Sequence, residues 1–405
     1  MVSAYILLIF VFSVFFSLFW KKKHEYIANI GTFFNSLSIL YFCVGLSIYS
    51  LLYSGTLDRE LEIITGLSFI ANISFNAGYY VYFRFNRVKN IDQSNVQFTN
   101  FSSNRILVVV LAVAISSYFY TIFEAGFFHF FQMTRTERFF LLYQYKYLVF
   151  FSSFINLIYV IYAVRFLYFE DRKYKKYFYF LFFYILFISL ATISRNTLLL
   201  LLITPVIIYN MKGVISNRKV VIYGVFFLIV LLFFKGFLYE IILDSKLHQG
   251  VNYTELTNWI RISVDMIQNG APSYDYFSYW VTLKGLFLPI VDNMQTLTGW
   301  YMFDTYSDAY ENGNRVAFSG VIEGYIMGGK HYIVIHYFTV GFLLAYVAFN
   351  KRYLHIILSI MIAFVLLKLF RSESYAFFRF IAWYVLYPLL IIEFISYLLK
   401  SRRHT

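Results

Sequence analysis

The chain contains a succession of apolar runs, each long enough to cross a lipid bilayer. A hydrocarbon core about 30 Å thick takes ~20 helical residues, and runs of this length recur from residue 4 to residue 397. Only 14% of the residues are charged and the mean hydropathy is +0.65, whereas about 25% of residues in a soluble domain are charged. The sequence therefore predicts an all-α fold, a polytopic membrane helix bundle.

Polar breaks divide these runs into about eleven transmembrane helices, within a range of ten to twelve. The segment between Lys176 and Lys212 holds 35 residues, of which only Arg195 is charged. A single helix of that length would measure ~50 Å, so the segment predicts two spans joined by a hairpin at Ser194-Arg195-Asn196. The predicted spans are 4–20, 30–52, 64–83, 106–123, 147–169, 177–193, 196–210, 219–236, 332–349, 353–370 and 376–397.

The distribution of charge predicts how the chain is inserted. Alternate connections carry 20 of the 34 Lys and Arg residues and 5 of the 21 acidic ones. By the positive-inside rule the basic side is cytoplasmic, which puts the N-terminus outside and the C-terminus in the cytoplasm. The first apolar run precedes Lys21-Lys22-Lys23, which is not the order of a cleavable signal. We attribute the net charge of +13 to insertion beside anionic lipid and expect no nucleic-acid partner.

One outer connection is much longer than the others. Residues 237–331 are too apolar and aromatic for a disordered loop, so we expect a partly helical periplasmic cap within a single membrane domain, 1–405. Thr254 can cap a helix that runs to about Gln268, with one apolar face through Trp259 and Val264. The stretch 276–291 is interrupted by Lys284 and Pro289 and is expected to lie at the membrane interface.

Arginines gather on the predicted outer side. A guanidinium stays protonated and offers a fork of donors that suits phosphate, so converging arginines would suit a lipid-linked pyrophosphate. The alternative is local ion pairing, such as Arg261 with Asp265 or Arg371 with Glu373. The predicted outer arginines are Arg59, Arg135, Arg138, Arg195, Arg261, Arg315, Arg371 and Arg379.

The stretch FSGVIEGYIMGGKH (318–331) is a second candidate. Gly320, Gly324 and Gly328 would give a helix a bare stripe for close packing, beside which Glu323 is either a substrate-facing acid or a satisfied core residue. Asp265 and His248 are further acid–base candidates, although most loop acids and histidines are simply solvated. No Walker loop, GxGxxG, DxD, HExxH or GxSxG occurs, so we expect no metal, no cofactor and a donor that is already activated on a lipid.

This pattern resembles the Wzy-type O-antigen polymerases, which are oligosaccharide repeat-unit polymerases. Ten to twelve spans, a small-x-Arg break between mid-chain helices, a long outer loop and a late Phe370-Arg371 carry the resemblance. The loop ends in a Gly-x-Ile-Glu-x-Tyr-like stretch, here formed by Gly320, Ile322, Glu323, Tyr325 and Gly329.

The resemblance implies a glycosyltransferase of the bacterial inner membrane that polymerises undecaprenyl-pyrophosphate-linked repeat units at the periplasmic face. Both donor and acceptor glycans would be lipid-linked, and a chain-length regulator and a flippase would be partners. Arg195 and Arg371 are expected to contact pyrophosphate, assisted by Arg261, Arg315 and Arg379, with Glu323 or Asp265 as general base. Sugars would be held by His248 and by aromatic side chains, namely Tyr276, Trp280, Trp300 and Tyr325.

Three other functions remain open. An O-antigen ligase would share the architecture and the arginines. A lipid-linked oligosaccharide flippase, which is not an enzyme, would place charges within its spans along a translocation path, whereas the predicted spans are nearly free of charge. A membrane acyltransferase would need a catalytic histidine, and none stands out in the sequence.

Overall fold

The computed structural model describes residues 1–53, 55–85, 104–133, 141, 144–191, 195–226, 254–268, 319–350, 353–371 and 374–401. Within these ranges the chain is helical and contains no strand. Among the described residues, seven helices are long and apolar enough to cross a membrane. The helical, membrane-embedded character predicted from the sequence is therefore confirmed, while the count of eleven spans and the orientation stay predictions.

The first half of the chain supplies eight numbered helices. Their bounds are α1 Val2–His24, α2 Ile30–Leu52, α3 Asp58–Phe85, α4 Asn104–Glu124, α5 Phe127–Gln132, α6 Tyr147–Tyr168, α7 Lys175–Ala191 and α8 Arg195–Met211. Residues 217–226 are also helical. Helices α7 and α8 are described on either side of residues 192–194, and both pack against Tyr159, through the Phe178 ring and the Leu201 carbonyl.

The second half adds four helices, and two of these correspond closely to the predictions. Their bounds are α9 Thr254–Gln268, α10 Gly320–Phe349, α11 Tyr353–Phe370 and α12 Ala376–Leu398. Helix α9 has the predicted limits. Its predicted apolar face is buried through Trp259 and Val264, and Ile262 and Met266, which border that face, are buried as well. The buried face of this helix is thus broader than predicted.

The chain folds into two compact units. The first comprises residues 1–95, 253–351 and 365–379, and the second residues 96–252, 352–364 and 380–405. The prediction of one membrane domain over 1–405 stays a prediction. Of the predicted periplasmic cap, the structure describes α9 and the beginning of α10.

The first unit is built on the close packing of α3 against α10. A β-carbon added to Gly341 would lie 2.1 Å from the carbonyl oxygen of Phe75, so the two backbones touch. The ring of Phe75 stacks on Phe34 of α2, with 3.5 Å between the centroids. Helix α1 closes the other side through Trp20, which is fully buried. Small residues let membrane helices approach closely and gain dispersion energy.

The second unit encloses a buried guanidinium. Arg165, at the end of α6, is 1% exposed. Its Nε donates a hydrogen bond of 3.0 Å to the hydroxyl of Tyr353, and the guanidinium lies over the ring of Tyr174 at 4.9 Å. Aromatic faces stabilise a cation that has been removed from water. This arginine is therefore part of the packing of α6.

Candidate functional site

The candidate site lies in the first unit, where α10 is broken. Ser319 caps the N-terminus of helix α10: its hydroxyl accepts a hydrogen bond of 3.2 Å from the Val321 amide. Its helical geometry fails at Gly328 and Gly329, and Gly329 has φ 65° and ψ −154°. L-residues with a β-carbon rarely adopt that conformation, and glycine adopts it freely. The glycine pair therefore separates a short helical segment, 320–327, from a long one, 330–349.

The short segment folds back along the long one. A β-carbon at Gly324 would lie 3.0 Å from both Tyr332 and Ile333. In a straight helix, residues eight or nine positions apart would be ~12–14 Å apart along the axis. The predicted glycine stripe therefore does form a close contact at Gly324, but Gly328 belongs to the break and not to a continuous stripe.

The reversal places Glu323 in the protein interior. Its exposed fraction is 1%, and it lies within electrostatic reach of Tyr337, fourteen positions further along the chain. Glu323 is also in the first turn of its helix, where the partial positive charge of the helix N-terminus favours a carboxylate. A buried acid beside a buried phenol is a constellation that can accept or donate a proton.

Aromatic rings form the wall beside Glu323. His336 is 2% exposed and stacks on Tyr332, with 5.8 Å between ring centroids and an interplanar angle of 11°. The edges of Tyr337 and Phe378 meet the same imidazole at 5.3 and 6.0 Å. The acid thus sits beside a rigid, largely apolar surface.

The wall continues as a chain of rings from α10 to the cap helix α9. The ring of Tyr337 is 6.4 Å from Phe34, which is 5.1 Å from Phe370. Phe370 is 5.0 Å from Phe42, which is 5.8 Å from Trp259 on α9. Within the described part of the chain, the indole Nε1 of Trp259 has no hydrogen-bond partner.

Two of the predicted arginines directly follow residues of this aromatic wall in the sequence. Arg371 directly follows Phe370 at the end of a helical segment, although its side chain lies outside the described part. Arg379 directly follows Phe378 and is half-buried. The hairpin between α11 and α12 therefore brings the backbone of both arginines to the wall beside Glu323.

The pair on α9 lies apart from Glu323 along the aromatic chain. Arg261 is exposed and Asp265 is half-buried, one helical turn later. Both lie within electrostatic reach of Tyr49 on α2. A local ion pair between Arg261 and Asp265 is therefore geometrically possible, because the two residues occupy adjacent turns of one helix face.

The remaining predicted site residues are only partly placed. Tyr325 is half-buried on the short segment of α10. Arg195 is the first residue of α8, in the second unit, and its side chain is not described. The predicted interfacial stretch 276–291 lies outside the described residues. So do five predicted site residues, namely His248, Tyr276, Trp280, Trp300 and Arg315.

Sequence reasoning missed the residues that surround the acid. Tyr332, His336 and Tyr337 belong to no motif in the sequence. The pair Gly328-Gly329 inside an apolar run was the usable signal, because adjacent glycines permit a chain reversal. In the described part of the chain, no group of three His, Cys, Asp or Glu side chains could hold a metal ion.

Comparison of the chain with family models, with curated proteins and with solved structures gave no match.

Proposed function

We propose that this protein polymerises lipid-linked oligosaccharide repeat units by metal-independent glycosyl transfer at the outer face of a bacterial inner membrane. The observation that carries the proposal is the burial of Glu323 in the short helical segment 320–327. It lies beside Tyr337 and the aromatic wall that contains Phe370 and Phe378. A buried acid is costly inside a membrane protein and usually marks a functional site.

In the proposed reaction, a hydroxyl of the acceptor sugar attacks the anomeric carbon of the donor glycan. The new C–O bond forms as the bond between that carbon and the pyrophosphate oxygen breaks, and undecaprenyl pyrophosphate leaves as an anion. Glu323 accepts the hydroxyl proton as general base. Arg371 and Arg379, whose backbones lie beside the wall, supply fixed positive charge for the leaving group, with Arg261 assisting.

A cellular test separates this proposal from its rivals. Deletion of the gene in the host should leave single repeat units on the glycan acceptor, whereas loss of a ligase would leave no glycan there. Loss of a flippase would instead trap repeat units on the cytoplasmic leaflet. The long polymer should return on complementation with the wild-type chain.

Residue-level tests use the same complemented strain. Glu323→Gln keeps the side-chain volume and removes the carboxylate, and we expect it to reduce polymer by ~100-fold or more, the scale of a lost general base. Glu393→Gln is the matched control, because Glu393 is exposed on α12. Normal polymer length and yield with Glu323→Gln, at equal protein abundance, would remove Glu323 from the mechanism. The same result with Arg195→Ala would rule out the predicted contact between Arg195 and pyrophosphate.

A further inference from the structure

Three helices of the first unit share a buried ladder of polar side chains. Asn35 of α2 and Asn76 of α3 exchange hydrogen bonds: Asn35 Nδ2 donates to Asn76 Oδ1 at 3.1 Å, and Asn76 Nδ2 donates to Asn35 Oδ1 at 2.9 Å. Trp20 Nε1 of α1 also donates to Asn76 Oδ1, at 2.9 Å. All three side chains are fully buried.

Asn72 extends the ladder by one helical turn. Its Nδ2 donates to Ser13 Oγ of α1 at 3.1 Å and to Asn35 Oδ1 at 3.4 Å. The remaining amide protons are also used, since Asn35 Nδ2 donates to the Gly31 carbonyl and Asn76 Nδ2 to the Asn72 carbonyl. Every side-chain N–H of the ladder therefore has an acceptor.

Three oxygens beside the ladder are left over. Ser38 Oγ, Ser68 Oγ and Asn72 Oδ1 are buried and, within the described residues, take part in no hydrogen bond. Reversing the Asn72 amide would not solve this, because its oxygen would then face the Asn35 oxygen. Buried oxygens without partners are rare and usually indicate water or an ion.

The helix register brings these three residues together along the seam between α2 and α3. Helices α2 and α3 are antiparallel: the Gly31 backbone is bonded to the Tyr79 side chain, and Asn35 is bonded to Asn76 and Asn72. Each turn forward along α2 is thus matched by a turn backward along α3. Ser38, one turn beyond Asn35, then lies opposite Asn72 and Ser68, which are themselves one turn apart.

The backbone of α2 changes pitch along this seam. A π-helical stretch, Ile39–Gly45, begins directly after Ser38. Such stretches are rare in proteins and occur frequently at functional sites. In membrane proteins, sodium sites likewise form where helix backbone departs from α-helical geometry.

We propose that Ser38, Ser68 and Asn72 form a binding site for an alkali metal cation, with sodium as the expected occupant. Oxygen ligands suit a hard cation, and the absence of a carboxylate among these side chains favours a single positive charge over a divalent ion. An anion would be repelled by the Asn72 oxygen. All three oxygens can coordinate a cation through their lone pairs. The site is independent of the proposed glycosyl transfer.

The test is thermal unfolding of the purified full-length protein in detergent. Sodium, potassium and choline chlorides are compared at equal ionic strength. Because a ligand bound only to the folded state stabilises it, the unfolding midpoint should rise saturably with sodium, by ~3 °C or more over choline. Direct binding of radioactive sodium to the wild-type protein should saturate over the same concentration range.

Two variants locate the site. Ser38→Ala and Ser68→Ala each remove a hydroxyl that makes no described hydrogen bond, so both should fold, and each should lose at least half of the sodium-specific shift. The matched control is Ser396→Ala, since Ser396 is also buried but its hydroxyl donates to the Ile392 carbonyl of its own helix at 2.8 Å. This control should keep the full shift.

Two results would overturn the proposal. Equal midpoints in the three salts would mean that the oxygens are satisfied by water alone. A sodium-specific shift that survives both serine variants would place any bound cation elsewhere. If either variant fails to fold, the wild-type salt comparison and the other variant still decide the question.

Discussion

Gly78 of α3 and Phe338 of α10 are in backbone contact: a β-carbon at Gly78 would lie 2.0 Å from the Phe338 carbonyl oxygen. With Gly341 against Phe75, this contact fixes α3 and α10 in two places one turn apart. Neither partner can yield by rotating a side chain, because both partner atoms are backbone.

We expect Gly78→Ala to separate α3 from α10. Overpacking of this kind costs ~1–3 kcal/mol or more in the free energy of unfolding. Gly66→Ala on the same helix is the control, because its nearest neighbour is the end of the Tyr5 ring at 3.8 Å. There the gain in helix propensity should stabilise the protein by up to ~1 kcal/mol. Equal effects of the two substitutions in denaturation measurements would contradict the backbone contact.

Tyr337→Phe should leave the stability of the protein unchanged or raise it. The Tyr337 hydroxyl is buried and has no hydrogen-bond partner among the described residues, and a buried unsatisfied group of this kind costs ~1–3 kcal/mol. Thermal unfolding measures the effect. A clear loss of stability would show that the hydroxyl is bonded within the fold, for example to Glu323.

The Asn35–Asn76 pair should show energetic coupling in a double-mutant cycle. Side-chain hydrogen bonds between membrane helices average ~0.6 kcal/mol and reach ~1.7 kcal/mol, and this pair forms two, so we expect a coupling of ~1 kcal/mol or more between Asn35→Ala and Asn76→Ala. Thr65→Val serves as the control partner for Asn35→Ala, since the Thr65 hydroxyl bonds to the Leu61 carbonyl of its own helix. Those two effects should add. Additivity in the Asn35–Asn76 cycle as well would mean that the pair does not interact.

The connection between α6 and α7 should make a small pH-dependent contribution to stability. Lys212 donates a hydrogen bond to Glu170, and this bond and the lysine charge lower the pKa of the Glu170 carboxyl below its ordinary value. A lowered folded-state pKa stabilises the protein above the unfolded-state value, and the contribution disappears as the pH falls through the folded value. Glu170→Gln should therefore lower the unfolding midpoint slightly at neutral pH.

As the pH falls through the lowered pKa of the folded-state Glu170 carboxyl, the midpoints of Glu170→Gln and the wild type should converge, because the wild-type carboxyl becomes protonated. A constant difference at every pH would show that the effect does not come from the charge of Glu170.

The sequence predicted the elements of this fold better than their contacts. Helix α9 could be delimited because Thr254 and Gly270 bracket a periodic apolar face, and α7 and α8 could be separated because no single span accommodates 35 residues. Both inferences depend only on local pattern and segment length, which can be read directly from the sequence.

What the sequence could not supply was the direction in which the chain turns. Glu323 was singled out as a candidate acid, but its neighbour Tyr337 lies beyond a reversal at Gly328-Gly329, and hydrophobic periodicity does not encode reversals. Likewise Asn35, Asn72 and Asn76 are, taken individually, minor interruptions of apolar runs. Their importance arises only when three helices bring them together, since a hydrogen bond between helices depends on both partners at once.

The contact between α3 and α10 also has a consequence for biosynthesis. Gly341 is translated about 260 residues after Gly78, a delay of roughly 10–50 s at bacterial and eukaryotic elongation rates. During that interval α10 is not yet available to cover Gly78. A ribosome stalled before α10 would therefore expose an unfinished helix surface, which is the kind of feature that quality-control proteases of the membrane can recognise.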